Sequence, residues 1–178
     1  MKQPDWAAIR RFYSSNLDSI MRAGPSDWGV DPYSWDFELG IEMTAIEDAI
    51  WCEIRNVGCV MYPQFPVGRR FVDFGNPCVK VAIECDGADF HSDPDADKAR
   101  EKEIEAMGWR IYRISGSDCM RITRVRECQE TGVASILPSP GHKLVRLIAD
   151  RYGIRCAPTR AVGGVSVLEM VRSAIARQ

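Results

Sequence analysis

A chain of 178 residues is long enough for one domain with a short appendage and for a substantial buried core. Its 46% hydrophobic and 27% charged residues exclude an intrinsically disordered chain. The formal net charge of −2 excludes a uniformly basic nucleic-acid binder. It leaves room for a local basic face whose charge is offset by an acidic cluster elsewhere.

Residues 1–23 read as an amphipathic helix, with Trp6, Ile9, Arg10, Tyr13, Leu17 and Ile20 recurring at helical spacing. The first residues, Met1 to Tyr13, are charged and mixed, without the apolar centre of a signal peptide. Residues 24–36 carry prolines, glycines and tryptophans and read as an irregular connector. Thr44-Ala-Ile-Glu47 opens a second helix, with a stripe of Ile46, Ile50, Ile54 and Val57 and a stop at Gly58. Three extended runs follow: Cys59 to Phe65, Arg70 to Phe74 and Val79 to Cys85, the last two separated by Gly75-Asn76-Pro77. Asp93-Pro94 starts a charged helix running to Met107, and Gly108 ends it. Trp109 to Ile114 is dense in β-formers and reads as a strand, and Ser117 to Glu130 reads as helical. Beyond Pro138-Ser139-Pro140, helices are expected over His142 to Tyr152 and Val165 to Arg177.

The order through residue 130 is thus helix, three strands, helix, strand, helix, which predicts an α/β domain with a mixed sheet flanked by helices. The expected organisation is an N-terminal helical arm and connector over 1–39, a core over 40–130 and a C-terminal helical extension over 131–178. Seven cysteines occur without a Cys-x-x-Cys pair, which disfavours zinc and fits a reduced, cytoplasmic setting. No apolar run approaches the ~20 residues of a membrane span, so no membrane partner is expected.

The chemistry-bearing residues lie on the second and third strands. Strand periodicity places Glu84 and Asp86 on one face, away from Ile83 and Cys85. A hairpin centred near Cys78-Val79 would set Asp73 directly across from Glu84, with Cβ atoms roughly 4.5–5.5 Å apart. A turn centred on Asn76 would instead pair Asp73 with Val79 and separate the acids. Opposed carboxylates destabilise a sheet unless a divalent cation or a proton offsets them. Oxygen ligands of this kind suit Mg2+ or Mn2+. The plain alternative is a strand-edge charge at Asp73 and a simple turn at Asp86-Gly87. Against it stands the cost of unpaired acids inside apolar strands.

At these residues the chain resembles the PD-(D/E)XK nuclease superfamily, which has a restriction-endonuclease-like fold. The likeness is greatest to the branch related to very-short-patch repair endonucleases. The stretch carrying it runs from Thr44-Ala-Ile-Glu47 through Gln64-Phe-Pro-Val-Gly68, Val72-Asp73-Phe74 and Ile83-Glu84-Cys85-Asp86-Gly87. It continues through Phe90-His91, Asp97-Lys-Ala-Arg100 and Gly108-Trp-Arg-Ile to Arg113, about seventy residues in all. The resemblance implies Mg2+- or Mn2+-dependent endonuclease cleavage of phosphodiester bonds in nucleic acid, DNA before RNA. It implies metal binding by Asp73 and Glu84, assistance from Asp86 and His91, and a helix acid, Glu47, that reaches the metal directly or through water. Where the superfamily usually has lysine, two residues after the glutamate, this chain has Asp86. Lys80, on the same strand face as Glu84, and His91 are candidates for the missing function.

Glu47 has a second reading, since Thr44-x-x-Glu47 is also a capping box. Asp97 and Arg100 form an i,i+3 pair that reads as a solvated helix face or, through the resemblance, as a neighbour of the substrate. Arg100, Arg110, Arg113, Arg121, Arg124 and Arg126 are candidate phosphate contacts. Gln64 is a candidate to approach the site from the first strand. The tryptophans at 6, 28, 35 and 51 read as packing residues. Two alternatives remain open: a catalytically inactive nuclease-fold protein that binds nucleic acid or a protein partner, and an RNA-directed nuclease or toxin. A homodimer is compatible with either.

Overall fold

A computed structural model of the chain describes residues 4–31, 43–87, 94–122, 124–127 and 134–156. The helix α1 (Trp6–Ala23) begins where the Asp5 side chain accepts the Ala8 N–H at 2.9 Å. Its buried face is Ile9, Tyr13 and Ile20, while Leu17, expected on the same stripe, is exposed. The helix α2 (Ala45–Val57) carries the full capping box at Thr44 and Glu47, and Gly58 ends it in the left-handed conformation at φ 70°. It buries Ile50, Trp51, Ile54 and Val57.

Next come β1 (Tyr62–Val67), β2 (Arg70–Asn76), β3 (Val81–Asp86), the helix α3 (Pro94–Ala106) and β4 (Arg110–Ser115). They form one sheet in the order β1-β2-β3-β4; β1, β2 and β3 are antiparallel neighbours, and β4 runs parallel to β3. A parallel neighbour needs a crossover, and α3 supplies it. The expected mixed sheet flanked by helices is therefore what the chain forms, in the helix-strand-strand-strand-helix-strand order.

Each sheet face is covered. On one side Phe74, Val81, Ile83 and Ile114 pack with Ile50, Trp51 and Ile54 of α2 and with Val145 and Ile148 further on. On the other, Tyr62, Phe65, Val72 and Ala82 pack with Ile9, Tyr13 and Ile20 of α1 and Ile104 of α3. Trp51 stacks on Phe74 at 6.0 Å, and Trp28 meets Trp51 and Tyr62 edge-on, so both serve in packing as expected. Trp35 lies outside the described residues.

One irregularity matters for the site. Tyr62 and Phe65 join the same apolar cluster although three residues apart, where strict alternation would put them on opposite faces. Gln64 between them is buried and left-handed at φ 47°. The ladder pairs Pro63 with Phe74 and Phe65 with Val72 but skips Gln64 and Asp73. The pleat therefore changes phase at the position facing Asp73.

The expected helix over Ser117–Glu130 is not formed. The helical turn α4 (Gly116–Cys119) ends at once, and β5 (Arg124–Glu127) pairs antiparallel with β6 (Ala134–Leu137) in a separate two-stranded sheet. Val125 and Ile136 are β-branched, and residues of that kind favour extended over helical backbone. The hairpin spans the boundary expected at residue 130. The helix α5 (Pro140–Tyr152) starts two residues before the expected His142, with Ser139 as its cap and Pro140 in its first turn. The expected helix over 165–177 lies outside the described residues.

Candidate active site

The β2-β3 register pairs Phe74 with Ile83, Gly75 with Ala82 and Asn76 with Val81. One step further along the same register, Asp73 faces Glu84, so the hairpin is centred at Cys78-Val79 as the first of the two alternatives required. The strands part at this step: the Asp73 Oδ2 takes the Cys85 N–H at 2.7 Å. These residues open onto a cavity of about 360 Å3. Its walls are the start of α2 (Thr44, Ile46, Glu47), the end of β3 (Glu84 to Gly87), Asp97 and Arg100 of α3, and Arg113 of β4.

Asp73 is half-buried, and its withdrawal from water is the main cause that raises its pKa well above the ordinary range. The charge of Glu84 raises it further and Glu47 adds to this; the Cys85 N–H and Arg100 oppose it. Glu84 is also shifted upward, burial outweighing the guanidinium of Arg100. Arg100 grips Glu84 through both oxygens, Nη1 to Oε2 at 3.1 Å and Nη2 to Oε1 at 3.0 Å. Asp86 is paired with Arg113 at 3.0 Å, and Arg113 also faces Glu101 at 3.8 Å. The β3-β4 register places Arg113 beside Glu84.

Glu47 forms the capping box, the first of the two roles left open for it. One oxygen closes the capping box on the Thr44 N–H at 2.6 Å, and the other accepts from the Gln64 amide at 3.2 Å. Its charge still acts on Asp73. Gln64 thus reaches the site through Glu47. Its left-handed backbone costs energy in a non-glycine residue, and such strain concentrates at functional positions.

Three expectations need correction. Lys80 is not brought to the acids: it precedes β3 at the strand's other end, and its Nζ donates to the Met107 carbonyl at 3.1 Å. The reason is length, since four residues of strand separate side chains on one face by roughly 13 Å. Arg110 likewise begins β4 opposite Val81, away from the acids. Arg100 is not a solvated helix charge: it is engaged by Glu84 and donates to the Phe71 carbonyl at 2.8 Å. Arg121 is exposed and pairs with Asp118 at 3.3 Å. His91 lies outside the described residues, as do the side chains of Arg124 and Arg126 on β5. Sequence reading grouped Arg113 with general phosphate contacts. Its adjacency to Glu84 depends on the parallel β3-β4 register, which no local pattern encodes.

Among the described residues, no three acidic, thiol or imidazole side chains form a ready metal cage. The donor set is one buried and one half-buried carboxylate beside an open cavity. That suits Mg2+, which keeps several waters and is held by one or two carboxylates plus substrate phosphates. Asp73 and Glu84 would hold it, and the mutual repulsion at Asp73 is what it would relieve. Among the described residues, no helix is long and apolar enough to cross a membrane.

The family model REase_MTES_1575 matches residues 46–130, a span that includes Glu47, Gln64, Asp73, Glu84, Asp86, Arg100 and Arg113. An uncharacterized protein of Haemophilus influenzae (strain ATCC 51907 / DSM 11121 / KW20 / Rd) is 30% identical over 87 residues, 47% of this chain and 55% of that protein. The chain therefore matches about half of that relative's length. The Homing Endonuclease I-Bth0305I Catalytic Domain is 23% identical, over 43% of this chain and 80% of that one, at a TM-score of 0.37. The matched family span and the chain's own strand order together support a restriction-endonuclease-like nuclease fold whose acid cluster lies inside the matched region.

Proposed function

We propose that the protein is a Mg2+- or Mn2+-dependent endonuclease that hydrolyses phosphodiester bonds in nucleic acid, DNA before RNA. The observation that carries this reading is the Asp73-Glu84 pair, a half-buried and a buried carboxylate facing one another across β2 and β3 at an open cavity. When bound, the ion lowers the pKa of a water and neutralises charge on phosphate oxygens. Asp73 is pre-set by the Cys85 N–H, and Glu47 stands behind it in the outer shell. Asp86 takes the place of the superfamily's lysine, and Arg113 is the cation next to it. Its guanidinium supplies permanent positive charge for the developing phosphorane, a role that needs no proton. The sequence resemblance makes His91 the candidate for the water-orienting base. A relation to very-short-patch repair endonucleases rests on the Asp86 and His91 pattern.

The test is cleavage of supercoiled plasmid, single-stranded DNA and RNA with Mg2+ or Mn2+. Wild type should cut, and Asp73→Ala and Glu84→Ala should each lose at least about a hundredfold in rate, in line with removal of a group that stabilises the transition state. Equal cleavage by the variants would sink the assignment. A second reading, a nucleic-acid-binding protein without catalysis, is favoured by the Glu84-Arg100 pair, which already neutralises one of the two acids. Binding of the same substrates by wild type and both variants, with no cleavage by any, would establish it.

A further inference from the structure

Arg69 and Arg70 of the β1-β2 turn and β2 pair with Glu103 on the outside of α3, and Arg69 there is 74% exposed. Pairs of that kind contribute little. Arg100, on the same helix, is held differently. It meets a carboxylate only 7% exposed, engages both its oxygens, and is itself fixed by the Phe71 carbonyl. Breaking such a pair leaves a buried charge uncompensated, so the arginine does not leave without a replacement. Asp73, by contrast, lines the cavity held by the Cys85 N–H, with no arginine on its oxygens among the described residues. The two acids proposed to share one ion are therefore held differently: one by a backbone amide, the other by an internal guanidinium.

We propose that Arg100 is a positioning residue and an internal counter-ion that makes metal binding depend on substrate. Its guanidinium fork fits a phosphodiester as well as a carboxylate. It lies 26% exposed in the wall of the cavity, where a nucleic-acid phosphate can compete with Glu84 for it. Transfer of the fork to the phosphate frees Glu84 for the ion, which in turn supplies the charge that Glu84 loses. Metal and nucleic acid then raise each other's affinity by the same factor, about 5- to 150-fold for couplings of ordinary size. This inference rests on the metal site proposed above.

Calorimetric titration of Mn2+ into the whole chain, with and without a short phosphorothioate DNA duplex, reads the coupling directly. Wild type should bind Mn2+ at least about fivefold more tightly with the duplex present. Arg100→Gln should bind Mn2+ without DNA more tightly than wild type, and its response to the duplex should shrink toward none. Arg100→Lys keeps the charge but loses the fork, and should stand between them. A thermal melt of each variant checks folding, and if Arg100→Gln does not fold, the wild-type pair of titrations decides. Equal Mn2+ affinity with and without the duplex overturns the inference, as does weaker metal binding by a folded Arg100→Gln. Cleavage that persists alongside an absent coupling removes only this inference. Absence of Mn2+ binding under both conditions removes the metal reading with it.

Discussion

Asp73 is charged only at a cost, because burial and two neighbouring carboxylates all favour its protonated form. A carboxyl whose folded pKa lies above the unfolded value, about 3.9 for aspartate, stabilises the fold below that value. The contribution is lost as pH rises through the folded pKa. Glu84 is shifted in the same direction. The metal-free protein should therefore be less stable at pH 7.5 than in mild acid, as far as this site contributes. Asp73→Asn keeps an acceptor for the Cys85 N–H and removes the charge. Its melting temperature should exceed that of wild type at pH 7.5, and the gap should close as pH falls toward 4. Saturating Mg2+ should raise the melting point of wild type and leave that of Asp73→Asn in place. A wild type more stable than the variant at neutral pH without metal would show that the carboxylate is not under strain. Both acids were legible from the sequence because charge inside an apolar strand is expensive and so informative. Arg100 as the partner of Glu84 was not, because it lies sixteen residues on, upon the crossover helix, and only the packing of that helix on the sheet brings the two together.

At the scale of elements, the two strands of the β2-β3 hairpin were readable from alternation but their register was not, because Gly75-Asn76-Pro77 reads as the turn whereas Gly75 and Asn76 pair with Ala82 and Val81. The α2 start was readable because a capping box is a local code. Gln64 was legible only as a polar residue in an apolar strand; its left-handed backbone and the shift in pleat phase follow from packing across the sheet. Strand β5 falls inside a stretch that reads as helix, since its extended form depends on pairing with β6, ten or so residues further on. Two element-scale outcomes follow. Thr44→Ala should cost about 1 kcal/mol of stability in urea denaturation, the usual value of an N-cap, and Thr44→Ser should restore it. Gly141→Ala would place a Cβ 2.7 Å from the Ile50 Cδ1, where α5 lies against α2. It should cost roughly 1–3 kcal/mol, as overpacking does. Neither change touches Asp73 or Glu84, so Mn2+ affinity of the folded fraction should be retained. A loss of metal binding in Gly141→Ala would mean that the α2-α5 contact also sets the position of Glu47.

For the whole molecule, a net charge of −2 must be reconciled with a polyanionic substrate. The acids gather at one end of the sheet, and the basic groups that matter should lie around that end. The position that a Cβ would take at Gly116 is 3.2 Å from the Asp86 carbonyl, so α4 abuts the acid cluster. Beyond it, Arg121 and Lys143 flank a surface cavity of about 470 Å3 that also exposes Met120, Ile122 and Leu137. Arg110 starts β4 at the opposite end of the strand. Each phosphate contact contributes about 0.9 to the slope of log affinity against log salt for duplex DNA. Replacing Arg121 and Lys143 together by serine should therefore lower the slope by about two, weaken binding alike across unrelated sequences, and leave Mn2+ affinity of the free protein unchanged. Arg110→Ser should leave the slope as it was. If Arg110→Ser lowers it and the double variant does not, the nucleic acid approaches from the other end of the sheet, and the acid cluster would then stand too far from the bound phosphates to act on them.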